Sequence, residues 1–198
     1  MRTLEEAARE AAGCTRCRLS AARTQVVYGV GDPHTDLMFL GEGPGFHEDQ
    51  QGEPFVGPAG QLLNHLLGEI GIQREEVYIA NVVKCRPPGN RDPRPDEIEA
   101  CAPWLRGQMD LIDPVVVATL GRFAAGVMLD RQVSVTRVRG QKFSVGGRIV
   151  IPTFHPAAVL RGGESQMQAI REDFEVLKAT LADPRPEPEP PQEQLGLF

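Results

Sequence analysis

A single carboxylate stands in a glycine-rich turn directly after a strongly apolar run. The run covers residues 37–40, and the turn that follows reads Gly41-Glu42-Gly43-Pro44-Gly45. This pattern is typical of a buried strand that delivers an acidic side chain to the rim of a sheet. Glycines in such a turn let backbone N–H groups come close to a ligand. We therefore predict that Glu42 faces a pocket.

Two further apolar runs each end at a side chain that can do chemistry. Residues 77–80 lead to Asn81, and residues 149–153 lead to His155. In a mostly parallel sheet the carboxyl ends of the strands share one edge, and ligands bind there. A carboxylate and an imidazole at such an edge are typical of a catalytic cleft. The sequence therefore predicts a cleft shared by Glu42, Asn81 and His155.

The chain has four cysteines, of which Cys14 and Cys17 form a C-x-x-C pair while Cys85 and Cys101 are single. Disulfides are rare in an intracellular protein, and basic neighbours favour the thiolate form that binds metals. Zinc prefers two close pairs, whereas an iron–sulfur cluster tolerates scattered thiolates. The spacing predicts a metal centre and leaves both the cluster and zinc open. Four unrelated core cysteines are the structural alternative.

Strands alternate with helices along the chain, which predicts an α/β fold. We expect a three-layer α/β/α sandwich with a central, mostly parallel four-stranded sheet. The predicted strands are 37–41, 77–80, 115–118 and 149–153. The predicted helices are 2–12, 59–71, 95–112, 121–129 and 166–181. Residues 45–57 are predicted to be a long polar loop, and residues 137–147 a hairpin or irregular.

The chain has 198 residues and a net charge of −6. This length predicts one domain, 1–182, followed by a tail, 183–198. No run of about 18 apolar residues occurs, and the N-terminus has no apolar signal core. We therefore expect a monomeric, cytoplasmic protein with no membrane segment.

The acidic total does not favour nucleic-acid binding, but a local basic face decides that question. Four basic residues cluster between positions 84 and 94, namely Lys84, Arg86, Arg91 and Arg94. They indicate either a nucleic-acid contact or a solvated loop.

The tail alternates proline with acidic residues, which predicts a disordered linker. It ends in Gln194-Leu195-Gly196-Leu197-Phe198. An apolar tip on such a linker is typical of a short peptide that docks in a groove elsewhere. The alternative is a tail that packs on its own domain or has no role.

Taken together, these motifs resemble the family 4 uracil-DNA glycosylases, the iron–sulfur branch of the uracil-DNA glycosylase superfamily. The matching segments are 41–45, 48–49, 52–63, 81–88 and 154–157. The resemblance runs from Cys14 to about Leu160. It implies an enzyme of base excision repair that swings uracil out of single- or double-stranded DNA and hydrolyses its N-glycosidic bond. It also implies a [4Fe–4S] cluster whose ligands would be Cys14, Cys17, Cys85 and Cys101.

The resemblance further implies how the base is held. Phe55 would stack on uracil, and the Asn81 amide would pair with its O4 and N3–H. His155 would donate to O2 as negative charge gathers on the leaving base. Backbone amides near the following residues would help to bind the base: Gly41, Glu42, Gly43 and His47.

This chain departs from the best-known branch of the superfamily, where an aspartate holds the attacking water. Gly43 occupies that position. We therefore predict that Glu42 orients the water, with Glu48 and Asp49 as the alternatives.

The resemblance also implies contacts with DNA beyond the base. Leu160 would fill the gap left in the helix, and Arg161 would contact a phosphate. Lys84 and Arg86 are further predicted DNA contacts. The peptide 194–198 is similar to the motif by which bacterial repair proteins bind the sliding clamp.

Three alternatives stay open. One is a relative that captures uracil-DNA covalently, although its extra basic loop is not found in this sequence. Another is a non-catalytic iron–sulfur DNA-binding module, which would need neither Glu42 nor His155. The third is a range of deaminated bases wider than uracil.

Overall fold

A computed structural model describes residues 3–182 of the chain. The strands are β1 (Val30–Gly31), β2 (Leu37–Gly41), β3 (Tyr78–Asn81), β4 (Val116–Leu120), β5 (Phe143–Val145) and β6 (Arg148–Thr153). They form one six-stranded sheet in the order β1-β3-β2-β4-β6-β5. The tail 183–198, with its predicted clamp-binding peptide, lies outside the described residues.

The four strands predicted from the sequence form the centre of this sheet. β3, β2, β4 and β6 are mutually parallel, and β2, β3 and β4 are buried along their whole length. This burial on both faces explains why each strand is a continuous apolar run.

The prediction of a four-stranded sheet is wrong at both edges. β1 pairs antiparallel with β3, and β5 pairs antiparallel with β6, so the sheet is mixed. β5 and β6 form a hairpin that turns at Gly146 and Gly147, both at positive φ. β1 has two residues, and β5 has no fully buried residue. Neither strand therefore has the buried apolar run by which the central strands were predicted.

Helices cover both faces of the sheet. They are α1 (Leu4–Ala12), α2 (Phe46–Gln51), α3 (Pro58–Glu69), α4 (Pro95–Ile112), α5 (Arg122–Met128), α6 (Val135–Val138), α7 (Pro156–Gly162) and α8 (Glu164–Ala182). One core holds Ala7 of α1 and Trp104 of α4, and the other holds Leu63 of α3 and Phe174 of α8. Two separate cores on one sheet give the expected three layers.

The segment 45–57, predicted to be a loop, contains the short helix α2. The Glu48 carboxylate accepts the backbone N–H of Gly45 at 3.1 Å, and Gly52 ends the helix at φ 80°. A left-handed glycine is a common way to terminate a helix. The sequence of α2 is polar and has no apolar stripe, so its periodicity did not reveal the helix.

Within residues 3–182, no helix has both the length and the apolar character needed to span a membrane.

Candidate active site

A cleft of about 710 Å³ opens at the carboxyl ends of the central strands. Glu42 follows β2, Asn81 ends β3 and His155 follows β6, and all three line this cleft together with Phe55. The structure therefore brings together side chains that lie more than 100 positions apart in the sequence. The volume lies within the range of sites for small ligands.

Phe55 forms one wall of the cleft in an unusual backbone conformation. Its φ is 55°, a left-handed value that is strained for a bulky residue. The Glu48 carboxylate holds this turn by accepting the two backbone N–H groups that follow Phe55, at 3.0 and 3.1 Å. Gly60 packs against the same turn, since a Cβ there would lie 1.7 Å from the Phe55 carbonyl oxygen. The ring itself stacks on the His155 ring, with centroids 5.6 Å apart.

Asn81 presents a buried polar atom that lacks a partner. Among the described residues, its Oδ1 has no hydrogen-bond donor although the side chain is buried. An unpaired buried acceptor costs about 1–3 kcal/mol, so such atoms usually have a reason. A Cβ on Gly41 would lie 2.3 Å from this oxygen and 2.7 Å from the Phe55 ring. The glycine therefore leaves open the space into which both side chains point.

His155 is a neutral hydrogen-bond donor at physiological pH. Its Nδ1 accepts the backbone N–H of Ala157 at 3.1 Å, which leaves the proton of the neutral ring on Nε2. Burial lowers the pKa of His155 from 6.5 to about 4, and the positive charge of Arg161 acts in the same direction. The ring is thus held in one tautomer and carries no charge near pH 7.

Glu42 has a pKa close to neutrality. Burial raises the pKa of its carboxyl from 4.5 to about 7, the negative charge of Asp92 adds to this rise, and Arg122 opposes it. Asp92 and Arg122 form an ion pair at 2.7 Å, and both line the cleft. A carboxyl group poised near pH 7 is suited to exchange a proton with water.

Sequence reasoning missed the roles of Asp92 and Arg122 in this cleft. Arg122 lies two residues beyond the end of β4. The expectation that functional side chains follow the carboxyl ends of the strands, which identified Asn81 and His155, therefore applies to Arg122 as well. Asp92 lies in a proline-rich loop with no regular structure, and only the folded chain brings it near Glu42.

The two alternatives to Glu42 have other partners. Glu48 accepts three backbone N–H groups, those of Gly45, Val56 and Gly57. Asp49 is buried and accepts the Thr24 N–H at 2.9 Å. Their oxygens therefore hold α2 and the Phe55 turn in place.

The prediction that Lys84 contacts DNA is wrong. The side chain is only 1 % exposed, and its Nζ donates to the carbonyl oxygen of Asn81 at 2.7 Å and to the side chain of Gln108. Burial lowers the pKa of Lys84 from 10.5 to about 8. A buried lysine needs such partners to satisfy its donors. Here its hydrogen bond to the carbonyl oxygen helps to hold the backbone of Asn81 in place.

The other predicted contacts lie nearer the surface. Leu160 is 51 % exposed on α7, and Arg161 lines the cleft. Arg86 is half-buried, and His47 is exposed beside the cleft without being part of its lining. These positions are compatible with contacts to a bound DNA strand. The contacts themselves stay predictions.

All four cysteines line one small internal cavity beside α4, although they come from three separate segments. Their sulfurs receive N–H groups: Arg23 donates to Cys85 at 3.3 Å, the Lys84 backbone to Cys101 at 3.3 Å, and Trp104 to Cys14 at 3.4 Å. In residues 3–182, no three cysteine, histidine or acidic side chains converge on a point suited to one ion. The sulfurs thus surround a common space without forming a single-ion site.

Comparison with known proteins gives consistent matches. The family model for the uracil DNA glycosylase superfamily matches residues 28–178. A Type-4 uracil-DNA glycosylase of Thermotoga maritima is 49 % identical over 171 residues, which is 85 % of this chain and 89 % of the relative. A Type-4 uracil-DNA glycosylase of Sulfurisphaera tokodaii is 42 % identical, covering 93 % of this chain and 88 % of the relative. A Type-5 uracil-DNA glycosylase of Thermus thermophilus is 36 % identical over 52 % of this chain and 53 % of its own length.

Proposed function

Because the chain belongs to the uracil-DNA glycosylase superfamily, we propose that the cleft bordered by Glu42, Phe55, Asn81 and His155 is where it excises uracil from DNA. The enzyme is a hydrolase: the bond between C1′ and N1 breaks, and water adds a hydroxyl group to C1′. The electron pair of the broken bond leaves with uracil, and the remaining proton of the water ends on the released base. The target nucleotide must leave the base stack to reach such a cleft.

The observation that carries this assignment is the unpaired Oδ1 of Asn81. Uracil presents N3–H beside O4, so one primary amide can accept from the first and donate to the second. Cytosine presents the opposite pattern, with an acceptor at N3 and donors at N4. In a buried cleft, a mismatched polar edge leaves both partners unpaired, which is a strong basis for rejection.

The leaving uracil carries negative charge, and neutral donors would stabilise it. His155 Nε2–H is the donor for O2, and an aimed donor of this kind typically supplies ~3–4 kcal/mol of transition-state stabilisation. The backbone amides at Glu42 and Gly43 would add to it. Phe55 would pack on the face of the base while its edge is read.

Glu42 is the residue proposed to act on the sugar side. As a carboxylate it would orient the attacking water, accept one of its protons and stabilise the cationic deoxyribose. Glu48 and Asp49 are less suited to this role because their oxygens already accept backbone N–H groups.

The cysteine cavity presents four thiols from three segments, a donor set that fits an iron–sulfur cluster. Three of the four sulfurs accept an N–H group, and hydrogen bonds of this kind tune the reduction potential of iron–sulfur clusters. The free space of the cavity is about 10 Å³, so its lining side chains would have to move to admit a cluster. We infer that Cys14, Cys17, Cys85 and Cys101 would hold a [4Fe–4S] cluster, whose role would be structural.

The test is excision from a labelled oligonucleotide with one uracil, single-stranded or opposite guanine, followed by alkali to cut abasic sites. We expect cleavage only at uracil, with an otherwise identical cytosine strand as the control. Glu42→Gln should bind the strand normally and lose most turnover. If that variant cut at the rate of the parent, the role of Glu42 would be wrong.

The same experiment separates hydrolysis from covalent capture. A hydrolase releases free uracil over many turnovers, whereas a capturing relative leaves a protein–DNA band that survives denaturant.

For the peptide 194–198, a pulldown with the bacterial sliding clamp, before and after deletion of these residues, tests the predicted partner.

A further inference from the structure

Phe46 is an aromatic ring on the surface with no evident role in the fold. It is 52 % exposed, the highest value among the large exposed hydrophobic side chains in residues 3–182, which also include Leu160 and Leu111. Phe46 follows Gly45, and Leu160 precedes Arg161, and both of these neighbours line the cleft. The two most exposed large apolar side chains of the described residues thus border the same opening.

They border it at different places. Phe46 begins α2 after β2, whereas Leu160 lies on α7 after β6, and β4 separates these two strands in the sheet. When one nucleotide of a DNA strand enters the cleft, one of its neighbours in the DNA would therefore lie on the Phe46 side and the other on the Leu160 side. Leu160 was predicted for the gap left by the extruded base, whereas no apolar contact with DNA was predicted on the Phe46 side.

The Phe46 ring is held in place while half of it stays open. The Arg86 guanidinium lies over the ring, 5.1 Å from its centroid, and the His47 ring meets it edge-on at 5.6 Å. Arg86 is fixed in turn, because its Nε donates to Asn90 Oδ1 at 2.7 Å, and Asn90 lines the cleft. A preoriented aromatic ring beside a guanidinium is the combination with which proteins bind unpaired bases and the adjoining phosphates.

We propose that Phe46 is a stacking platform for the base next to the extruded uridine, with Arg86 placed for the phosphate between them. The ligand is an unpaired base of single-stranded DNA. In a duplex that neighbour stays paired and stacked within the helix, so the platform contributes less there. This inference rests on the proposed function, since it extends the same binding surface by one nucleotide.

The test compares Phe46→Leu, which keeps an apolar side chain but removes the ring, with Phe46→Trp, which keeps a ring. On a single-stranded oligonucleotide with one uracil, we expect Phe46→Leu to raise KM about 5- to 150-fold, the range for loss of one base–aromatic stack. Its kcat should stay within about twofold, since Phe46 does not line the cleft, and Phe46→Trp should restore KM. Leu111→Ala removes an exposed leucine of α4 and should leave both constants unchanged.

A change in the substrate makes the test specific. Replacing the contacted neighbour by an abasic nucleotide analogue should make the KM values of the parent and Phe46→Leu equal. As a second measurement, 2-aminopurine at that neighbour should lose fluorescence on binding the parent and lose less on binding Phe46→Leu.

Equal KM values for the parent and Phe46→Leu on every single-stranded substrate would overturn the inference, and would leave Phe46 as a contact for a protein partner. The inference would also be overturned if Phe46→Leu still had a higher KM than the parent when the neighbour on either side of the uridine is abasic. Failure of the proposed function is distinct, because the parent enzyme itself would then release no uracil.

Discussion

At the scale of single residues, the charge on Glu42 is set first by burial and then by two neighbours that act in opposite directions. Burial and Asp92 raise the pKa of Glu42 to about 7, and Arg122 limits that rise. In the proposed mechanism only the carboxylate can accept a proton from water. The acidic side chain proposed to act on the water is therefore only partly ionised in the free enzyme near neutral pH.

We expect kcat/KM for uracil-DNA to increase as the pH rises through about 7, because the free enzyme must lose the Glu42 proton. Asp92→Asn removes a negative charge and should move the midpoint to lower pH. Arg122→Gln removes a positive charge and should move it to higher pH. A pH–rate profile for each variant checks this, and midpoints that shift in the same direction would contradict it.

The same carboxyl group should cost stability. Its pKa in the folded state lies above the value of 4.5 for the exposed group, so the fold loses stability as the pH rises from 4.5 to about 7. Glu42→Gln has no charge to bury. Thermal unfolding should therefore show a higher Tm for Glu42→Gln than for the parent at pH 8, and nearly equal values at pH 4. A lower Tm at pH 8 would show that the carboxylate stabilises the fold.

The residues of the cleft were predictable to different extents. Glu42, Asn81 and His155 each follow a strand, so their shared location follows from the alternation of elements alone. Lys84 was misassigned, because it is buried in the fold and donates to Gln108, a partner 24 positions away on α4. Asp92 was not predicted, because its influence on Glu42 arises only when a loop folds over the cleft.

At the scale of elements, the turn between β2 and α2 depends on the absence of a side chain at Gly41. A methyl group there would lie 2.3 Å from Asn81 Oδ1 and 2.7 Å from the Phe55 ring. We expect Gly41→Ala to fold and to lose uracil binding, since the methyl group enters the space for the base. Titration of free uracil, followed by calorimetry, measures this.

The matched control for that variant is Gly68→Ala on α3. A Cβ at Gly68 meets no atom within 4 Å, and alanine is favoured over glycine inside a helix by about 1 kcal/mol. This variant should keep uracil binding and gain slightly in Tm. Equal affinities for the parent and Gly41→Ala would show that the base does not occupy this space.

Elements with a strong apolar pattern were predicted with nearly correct bounds, and weak elements were not. α4 begins with Pro95 and ends at Ile112, as the sequence predicted, because proline marks its first turn. α2 and β5 lack such a pattern. They exist because of tertiary contacts: Glu48 joins α2 to the Phe55 turn, and β5 pairs with β6.

At the scale of the whole molecule, the cysteine cavity connects segments that are distant in the sequence. Cys14 and Cys17 follow α1, Cys85 follows β3, and Cys101 lies on α4. The Lys84 backbone donates to Cys101, and the Lys84 side chain donates to the Asn81 carbonyl. A cluster in this cavity would therefore fix the N-terminal segment and the support of Asn81 at once.

We expect Cys101→Ser to purify without the brown colour of the parent and with a Tm lower by roughly 10 °C, the shift that a loss of several kcal/mol gives in a domain of this size. Visible absorption, iron analysis and thermal unfolding measure these effects. Val127→Ala, a change of a partly buried residue that does not line the cavity, is the control and should stay brown. A parent protein without iron, or an iron-free variant of equal Tm, would contradict the structural role.

The neutral His155 ring has a consequence for the response to ionic strength. In the proposed mechanism neutral dipoles would hold the base, whereas charged groups would meet the phosphates: Arg122 and Arg161 line the cleft, and Arg86 lies over Phe46. At 0.15 M salt, interactions between exposed charges are largely screened beyond about 8 Å, whereas salt acts little on dipoles inside the cleft. Added sodium chloride should therefore weaken the binding of DNA steeply. The rate at which uracil already in the cleft is released should change little with salt concentration.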